Sequence, residues 1–309
     1  MLRYIIKRIF IAFLTLLVIA TLTFFLMKLI PGSPFTNPKI KLEIRMALER
    51  QYGLDRPILE QYVMYLKNVL KGDFGTSMKY PGRSVTQMIL DKFPHSFALG
   101  WRATVFAVSL GLFFGIIAAL NHEGILDYLT MFIAIVGVAV PSIVLGPLLA
   151  YILGVNLGWF PVAVDGTEWS MVLPSVTLGL GSLATISRLM RTTTLEVLNQ
   201  DYIQTAKAKG LSKTQIVFKH VIRNAIMPVI TVLGPLFAAL ITGSIVIEGI
   251  FAVPGLGKYF VSSIYEQDYP MVMGITLFYA VLIIFSILLV DLAYGFIDPR
   301  LRVSSKGGK

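Results

Sequence analysis

The chain has 309 residues, of which 56% are hydrophobic and only 14% charged, and its mean hydropathy is +0.76. This composition excludes a water-soluble globular enzyme, a disordered chain and a coiled coil, because the apolar content is too high and the charge too low. The absence of cysteine excludes disulfides and thiolate metal sites, and three widely separated histidines make a metal centre unexpected. A multi-pass membrane protein remains, and its net charge of +10 is informative mainly through its distribution.

Six apolar runs are long enough to cross a bilayer, which takes about 20 helical residues. The predicted spans are 9–30, 97–120, 128–153, 171–187, 229–251 and 271–295. The fourth is short and rich in Gly, Ser and Thr, a composition that favours close helix contact. The first follows a basic start but is too long for a signal-peptide core and ends in IPGSPF, so we expect it to remain as an anchor.

Lysine and arginine are distributed unevenly between the two sides of these spans. One side has three at the N-terminus, seven in residues 188–223 and four after residue 298, whereas the two short loops of the other side contain only Lys258. Because positive flanks stay in the cytoplasm, both termini are expected there. Residues 31–96 contain ten such residues, but a loop of that length is largely exempt from the rule.

Residues 31–96 form an external region in this topology, with amphipathic helices predicted over 39–51 and 57–70. No repeat or linker indicates a second soluble domain. The expected organisation is a cytoplasmic start with the first span, an external cap, a permease core that contains the cytoplasmic loop, and a cytoplasmic tail: 1–30, 31–96, 97–295 (with the loop at 188–227) and 296–309.

The loop at 188–227 is more elaborate than a connection needs to be. Asp201, with Gln204 three residues later, has the spacing of a helix N-cap, and the helix would end near Gly210, which suits a left-handed C-cap. The sequence therefore predicts a short capped helix at the membrane's inner face.

A second helix is predicted directly after the first. Ser212 and Gln215 repeat the capping-box spacing and open TQIVFKHVIRNAI, before Pro228 starts the fifth span. On the first helix, Tyr202 and Ala206 are expected to share a face with the 209–210 corner, where small residues let a partner approach closely.

Several segments carry a family resemblance: MLRYIIKRI with LTFFLMKLIPGSPF, QYGLDRPILEQYVMYL with KGDFGTS, DYIQTAKAKGLSKTQIVFKHVIRNAIMP, GSIVIEGIFAVPGLG and YGFIDPRLR. Together they resemble binding-protein-dependent ABC importer permeases of the dipeptide, oligopeptide and nickel branch, over essentially the whole chain. The resemblance implies an all-α, six-span, type I (MetI-like) permease fold. In the family's cytoplasmic loop the usual Glu-Ala-Ala opening reads Gln204, Thr205 and Ala206 here, which leaves no carboxylate at position 204.

The resemblance also implies partners. The loop would fit a groove on an ATP-hydrolysing subunit, and the residues expected to couple there are Asp201, Tyr202, Gln204, Ala206, Lys207, Gly210 and Leu211. Two such subunits would bind ATP and Mg, since this chain contains no G-x-x-x-x-G-K-[ST] sequence. A second, similar permease, expected as a heterodimer, and an external solute-binding protein would complete the importer. Peptide is the expected substrate, with nickel or another small solute as the alternative.

Four residues are candidates for the pathway or its gate. Glu248 would either gate the outer end or cap the helix before VPGLG, and Pro141 with Ser142 would either form a hinge or interrupt the third span without a function. Asp291 would cost roughly 2.5–3.5 kcal/mol at mid-bilayer, but its place near the helix end favours a structural role over a transport site.

Other classes of function are disfavoured. An intramembrane enzyme would need clustered catalytic groups, and the predicted spans contain no His or Lys in their apolar cores. A secondary transporter or channel would show midplane charges or matched halves. Nucleic-acid binding is excluded because the basic residues flank bilayer crossings.

Overall fold

The computed structural model describes residues 2–30, 34–35, 41–242 and 245–297, with side chains from residue 6 to residue 289. The described residues are almost entirely helical, with one isolated antiparallel bridge between Thr76 and Ser84. They divide into two compact units, residues 1–95 with 254–284 and residues 96–253 with 285–309.

The first unit contains nearly all of residues 31–96, for which the sequence predicts an external location. Its helices are α1 (Leu2–Leu29), α2 (Leu42–Gln51), α3 (Ile58–Leu70), the first part of α4 (Val85–Leu120), α12 (Gly257–Tyr265) and the first part of α13 (Tyr269–Ile297). The predicted helix over 57–70 is confirmed, with Pro57 as its N-cap residue, and the described part of the 39–51 helix is α2.

The core of the first unit packs the start of α4 against α12 and α13. Its fully buried side chains include Ile89, Leu256 and Ile275. A second contact holds α3 against α1, where the hydroxyls of Thr21 and Tyr62 lie 2.7 Å apart. Within the first unit, these contacts attach α3 to α1 and the start of α4 to α12 and α13.

The second unit contains the remaining helices. They are the second part of α4, α5 (Ile125–Ala139), α6 (Ser142–Leu149), a π-helix (Ala150–Asn156), a 3₁₀ turn (Glu168–Met171), α7 (Val172–Leu198), α8 (Asp201–Ala208), α9 (Lys213–Ile216), a π turn (Val217–Val221), α10 (Ile222–Ile241), α11 (Ile245–Ile250) and the last part of α13. Helix α7 packs against both α5 and α10.

Glycines allow close helix contacts in the second unit. A Cβ at Gly179 of α7 would lie 2.8 Å from the Ala103 carbonyl oxygen, and one at Gly100 of α4 would overlap the Leu240 carbonyl of α10. Because real Cβ atoms do not approach backbone this closely, larger residues would force the helices apart. The Gly-rich composition of the fourth span thus has a packing reason.

Five helices are long and apolar enough to cross a membrane, and a bent pair makes a sixth candidate: Ile6–Leu29, Val85–Leu120, Glu168–Leu198, Lys213–Ile250, Tyr269–Leu289 and the pair Ile125–Ala139 with Ser142–Asn156. Among the described residues, the six expected spans thus correspond to five single helices and one bent pair of helices. The second, third, fourth and fifth spans nevertheless differ from the observed helices. The fifth was expected to start at 229, whereas its helical segment starts at Lys213.

The helices of the second and fourth spans are longer than predicted. Helix α4 begins at Val85, twelve residues before the predicted start, and passes through Pro94. Helix α7 continues to Leu198 rather than ending at 187, so the loop predicted over 188–227 opens with three turns of membrane-helix extension. Hydropathy marks where a helix leaves the apolar layer, and it does not mark where the helix ends.

The third span is not one helix. Its two halves, α5 and α6, meet at an angle of 112°. Val140 and Pro141 are both extended at the break, since the ring of a proline disfavours helical backbone in the residue before it. The sequence identified the interruption at Pro141 but predicted one run over 128–153.

Candidate coupling site and translocation elements

The start of α8 differs from the predicted N-cap. Gln200 is the N-cap residue, with extended backbone and no side-chain cap hydrogen bond, and Asp201 is the first helical residue. The proposed pairing of Asp201 with Gln204 was therefore wrong. The reason is that only two residues separate α7 from α8, so the chain must turn at 199–200. At its observed position the Asp201 carboxylate complements the positive end of the helix dipole.

The end of α8 has the predicted left-handed glycine. Gly210 has φ +76°, its N–H donates to the Lys207 carbonyl at 2.9 Å, and the Leu211 N–H donates to the Ala206 carbonyl at 3.3 Å. This pair of hydrogen bonds is the Schellman arrangement, which satisfies carbonyls that a helix end leaves free. The expectation for Gly210 is confirmed.

The start of α9 is also confirmed. The Gln215 backbone N–H donates to Ser212 Oγ at 3.3 Å, and the Ser212 N–H donates to Gln215 Oε1 at 3.2 Å. This reciprocal capping box leaves a tight corner of two residues, Gly210 and Leu211, between one helix end and the next cap. We refer to residues 201–216 as the α8–α9 segment.

The α8–α9 segment packs around a small core that it shares with its neighbours. Ile203, Ala206 and Ile216 are buried together with Val221 of the π turn. Leu211 and, from the end of α7, Val197 and Leu198 pack against them. Ala206 is only 5% exposed, whereas Tyr202 is 43% exposed. The expectation that these two share an open face was wrong, because Ala206 lies one turn after Ile203 on the inward side.

The other coupling candidates lie outward. Asp201, Gln204, Lys207 and Gly210 are exposed, and Leu211 is half-buried. Phe218, which the sequence analysis did not single out, is 68% exposed on the following π turn. The sequence shows an aromatic residue close to two lysines at this position, Lys213 and Lys219. Hydropathy alone does not show that its side chain is exposed.

The α8–α9 segment leads into the next span without a loop. Helix α9, the π turn and α10 follow one another from Lys213 to Ile241, and Pro228 lies inside α10 rather than at its start. Membrane helices tolerate such prolines because neighbouring helices compensate for the lost hydrogen bond. Thr193 Oγ1 of α7 donates to the Ala225 carbonyl of α10 at 2.8 Å, which links the two helices beside the segment.

An ion pair joins α7 to α5. Arg191 Nε and Nη2 donate to the two carboxylate oxygens of Asp127, each at 2.6 Å. The Glu123 N–H also donates to Asp127 at 3.1 Å, and His122 Nδ1 lies 3.6 Å from the same carboxylate. Asp127 is buried, with 2% of its surface exposed. Sequence reasoning missed this pair, because Arg191 was counted as a loop charge and its partner is 64 residues away.

Glu248 is buried in the second unit. Its Oε1 accepts a hydrogen bond from Ser96 Oγ at 2.7 Å, and its backbone carbonyl accepts from the Val253 N–H at 2.9 Å. Neighbouring Ile247 and Phe251 are fully buried against Leu99. The carbonyl bond supports the alternative that this residue anchors the following turn, and the gating role stays a prediction.

Of the remaining pathway candidates, Pro141 is the N-cap residue of α6 and Ser142 its first residue, both exposed at the 112° break. Whether the break moves as a hinge stays a prediction. Asp291 lies within the range of α13, but its side chain is outside the described residues.

Two families match the chain. The family described as "Binding-protein-dependent transport system inner membrane component" matches residues 111–303, and the family of the N-terminal part of such membrane components matches residues 1–100.

Curated relatives match over nearly the full length. The dipeptide transport system permease protein DppB of Bacillus subtilis is 52% identical over 308 residues, which is 99% of this chain and 100% of that protein. The oligopeptide transport system permease protein OppB of Haemophilus influenzae is 44% identical over 305 residues, which is 98% of this chain and 100% of that protein.

Solved structures share the fold at low identity. An inward-facing structure of the MetNI methionine ABC transporter aligns with a TM-score of 0.57 and 18% identity, over 69% of this chain and 97% of that one. An amino acid ABC transporter aligns with a TM-score of 0.53 and 17% identity, over 68% and 94%. With the fold, the spans and both family matches in agreement, the chain belongs to the family of binding-protein-dependent transport system inner membrane components.

Proposed function

We propose that the chain is the permease subunit of an ATP-driven importer of dipeptides or oligopeptides, and that it forms half of the translocation path. The observation that carries this proposal is the 52% identity, over the whole of both chains, to a dipeptide permease. The relative from Haemophilus influenzae, at 44% identity, is named for oligopeptides. Both names specify peptides, so the nickel alternative is not favoured.

The α8–α9 segment is the proposed contact for an ATP-hydrolysing subunit. Its outward side chains Asp201, Tyr202, Gln204 and Lys207 offer the docking surface, and Ala206 supports them from within. Because the segment packs on a buried core, and both the end of α8 and the start of α9 have hydrogen-bonded caps, it would move as a rigid unit rather than deform. Two such subunits, which hold ATP and Mg, and a second, similar permease as heterodimer partner are part of the proposal.

Both termini and the α8–α9 segment are proposed to face the cytoplasm. The sequence contains no cysteine, so single cysteines can be labelled without background. Ala163→Cys and Thr214→Cys place thiols at exposed positions on opposite sides of the proposed topology. In intact cells a membrane-impermeant maleimide should label the first variant and should label the second only after lysis. The reverse labelling pattern would show that the topology is the opposite of the one proposed.

The region 39–96 is proposed to contact the external binding protein or to close the entrance. Leu42 and Leu59 lie in the first turns of α2 and α3 and are each 70% exposed. A photo-crosslinking residue at position 59 should capture the binding protein in cells, and one at exposed Thr214 should not. Equal capture at both positions would refute the contact.

Transport itself is testable with the assembled complex. The chain, coexpressed with the ATPase subunits and second permease of the same importer, would be reconstituted into vesicles with the binding protein outside. We expect uptake of a labelled dipeptide or oligopeptide that requires ATP and is reduced by unlabelled peptide but not by Ni²⁺. Uptake by this chain without an ATPase partner, or nickel uptake insensitive to peptide, would overturn the proposal.

A further inference from the structure

The first unit contains a cavity of about 310 Å³. It lies where α2, α3 and the following loop meet the last turns of α1 and the first turns of α13. Its apolar wall includes Phe24, Met27, Tyr65, Tyr269 and Met273. The volume is at the lower end of the range of about 300–1,000 Å³ for ligand sites, so it suits a small group rather than an extended chain.

Positive charge dominates the polar lining of this cavity. Lys28, Arg50 and Arg56 line it, against a single carboxylate, Asp73. None of the three cations forms a salt bridge within the described part of the chain. Lys28 donates to Gln61 Oε1 at 2.5 Å, a neutral partner. With three cations against one carboxylate, the lining carries a net positive charge. Such a cavity attracts an anionic group, which cationic donors bind through charge-assisted hydrogen bonds.

The cavity lies at the ends of two membrane-spanning helices. Lys28 is in the last turn of the Ile6–Leu29 span, and Tyr269 begins the Tyr269–Leu289 span. The Lys28 ammonium lies 5.7 and 5.5 Å from the ring centroids of Phe24 and Tyr269. A lysine whose charged end reaches past an apolar helix, beside a tyrosine, is typical of the depth at which lipid headgroups lie.

An apolar surface lies on the same side of α1 as Lys28. Leu14, Leu17 and Phe25 are 48%, 36% and 41% exposed, and at about 100° per residue their directions from the helix axis lie within about 60° of that of Lys28. A ligand with an anionic head and apolar chains fits both features, since its head can occupy the cavity while its chains lie along the helix. Short peptides also carry a carboxylate, but most lack such long apolar chains.

We propose that this cavity binds the phosphate headgroup of an anionic phospholipid, with Lys28, Arg50 and Arg56 as the contacting cations. Basic pockets beside membrane-spanning helices recognise lipid phosphates in this way, and a planar guanidinium matches a phosphate with two parallel hydrogen bonds. A bound headgroup would attach the outer helices α2 and α3 to the bilayer through the end of α1. The proposal stands independently of which solute the permease moves.

The test uses the purified full-length protein with phosphatidylglycerol and phosphatidylethanolamine in equal amounts, and native mass spectrometry to count retained lipids. We expect phosphatidylglycerol to be retained preferentially. Lys28→Gln with Arg56→Gln should lower this retention by about 25-fold, which is about fivefold for each cation. Arg50→Gln with Arg56→Gln changes only exposed side chains and should have a similar effect without endangering folding.

The matched control is Lys67→Gln with Lys71→Gln, which removes two exposed charges at the end of α3 that do not line the cavity. It should retain phosphatidylglycerol as the unaltered protein does. Equal retention of both lipids, retention unchanged in the cavity variants, or equal loss in the control would each overturn the proposal. Displacement of the lipid by an equimolar short peptide would assign the cations to a peptide carboxylate instead and would also overturn it.

Discussion

Arg191 and Asp127 form a two-point ion pair, in which Nε and Nη2 of the guanidinium each donate a 2.6 Å hydrogen bond to a separate oxygen of the carboxylate. The pair joins the extension of α7, which leads to the α8–α9 segment, with the first turn of α5, which leads to the 112° break. Among the described residues, it is the ion pair that connects α7 with α5.

Replacing Arg191 by Leu should destabilise the protein, since it leaves the buried Asp127 carboxylate without its strongest partner. Breaking a buried pair costs about 3–5 kcal/mol, and because a quarter of the Arg191 side chain is accessible we expect about 3 kcal/mol or less. The midpoint of thermal unfolding in detergent measures the effect. Arg188→Leu, an exposed arginine on the same helix, should leave the midpoint nearly unchanged. Equal midpoints for the two variants would contradict a stabilising role for the pair.

Gly210→Val should abolish peptide uptake while the protein still inserts into the membrane. The left-handed conformation at φ +76° costs about 1–2 kcal/mol for a residue with a side chain, and a β-branched residue tolerates it worst. No atom lies within 4 Å of the position a Cβ would take, so the effect arises from backbone strain rather than a clash. Gly210→Asn is the control, since asparagine adopts this conformation more readily. Normal ATP-dependent uptake by the valine variant would argue against a coupling role for this corner.

Ala206→Asp should disrupt the core of the α8–α9 segment, because a carboxylate would be buried beside Ile203 and Ile216. Uptake should be lost, and trypsin should cleave at the nearby lysines faster than in the unaltered protein. Ala208→Asp introduces the same charge at an exposed position of the same helix and should leave the cleavage rate unchanged. If both variants are cleaved equally fast, burial of Ala206 is not what maintains the segment.

Asp268→Ala should loosen the loop that follows α3. The buried Asp268 carboxylate accepts hydrogen bonds from Ser77 Oγ and from the backbone N–H groups of Met78 and Lys79. Each hydrogen bond to a charged group contributes about 1.5–3 kcal/mol, so we expect faster amide hydrogen exchange across 77–84 and a lower unfolding midpoint. Asp55→Ala, at an exposed site, serves as the comparison. Unchanged exchange across 77–84 would exclude this role for Asp268.

The existence of the apolar spans, the cap at Ser212 and the helix end at Gly210 were predictable because each depends on residues close in sequence. Apolar runs of about 20 residues identify crossings wherever the protein lies in a bilayer, and the spacing of Ser212 and Gln215 specifies a cap within one turn. The positive φ of Gly210 follows from the same local logic.

The features that the sequence did not reveal depend on distant partners. Helix α7 continues past Arg188, and Arg191 on this extension meets a carboxylate 64 residues away. Ser96 and Glu248 are likewise 152 residues apart. The N-cap residue of α8 is one residue earlier than predicted, because α7 ends only two residues before it. Hydropathy could not locate that end of α7.

The π turn between α9 and α10 accommodates one residue more than a regular α-helix with the same end points. A deletion of one residue inside Val217–Val221 could therefore be absorbed by reversion to ordinary α-helix, with the angular phase of everything beyond it preserved. The same deletion at Asn224 would rotate the rest of α10 by about 100° and carry Ala225 away from Thr193. We therefore expect a one-residue deletion to be tolerated within Val217–Val221, immediately beside the segment proposed to receive the ATPase, and not at Asn224.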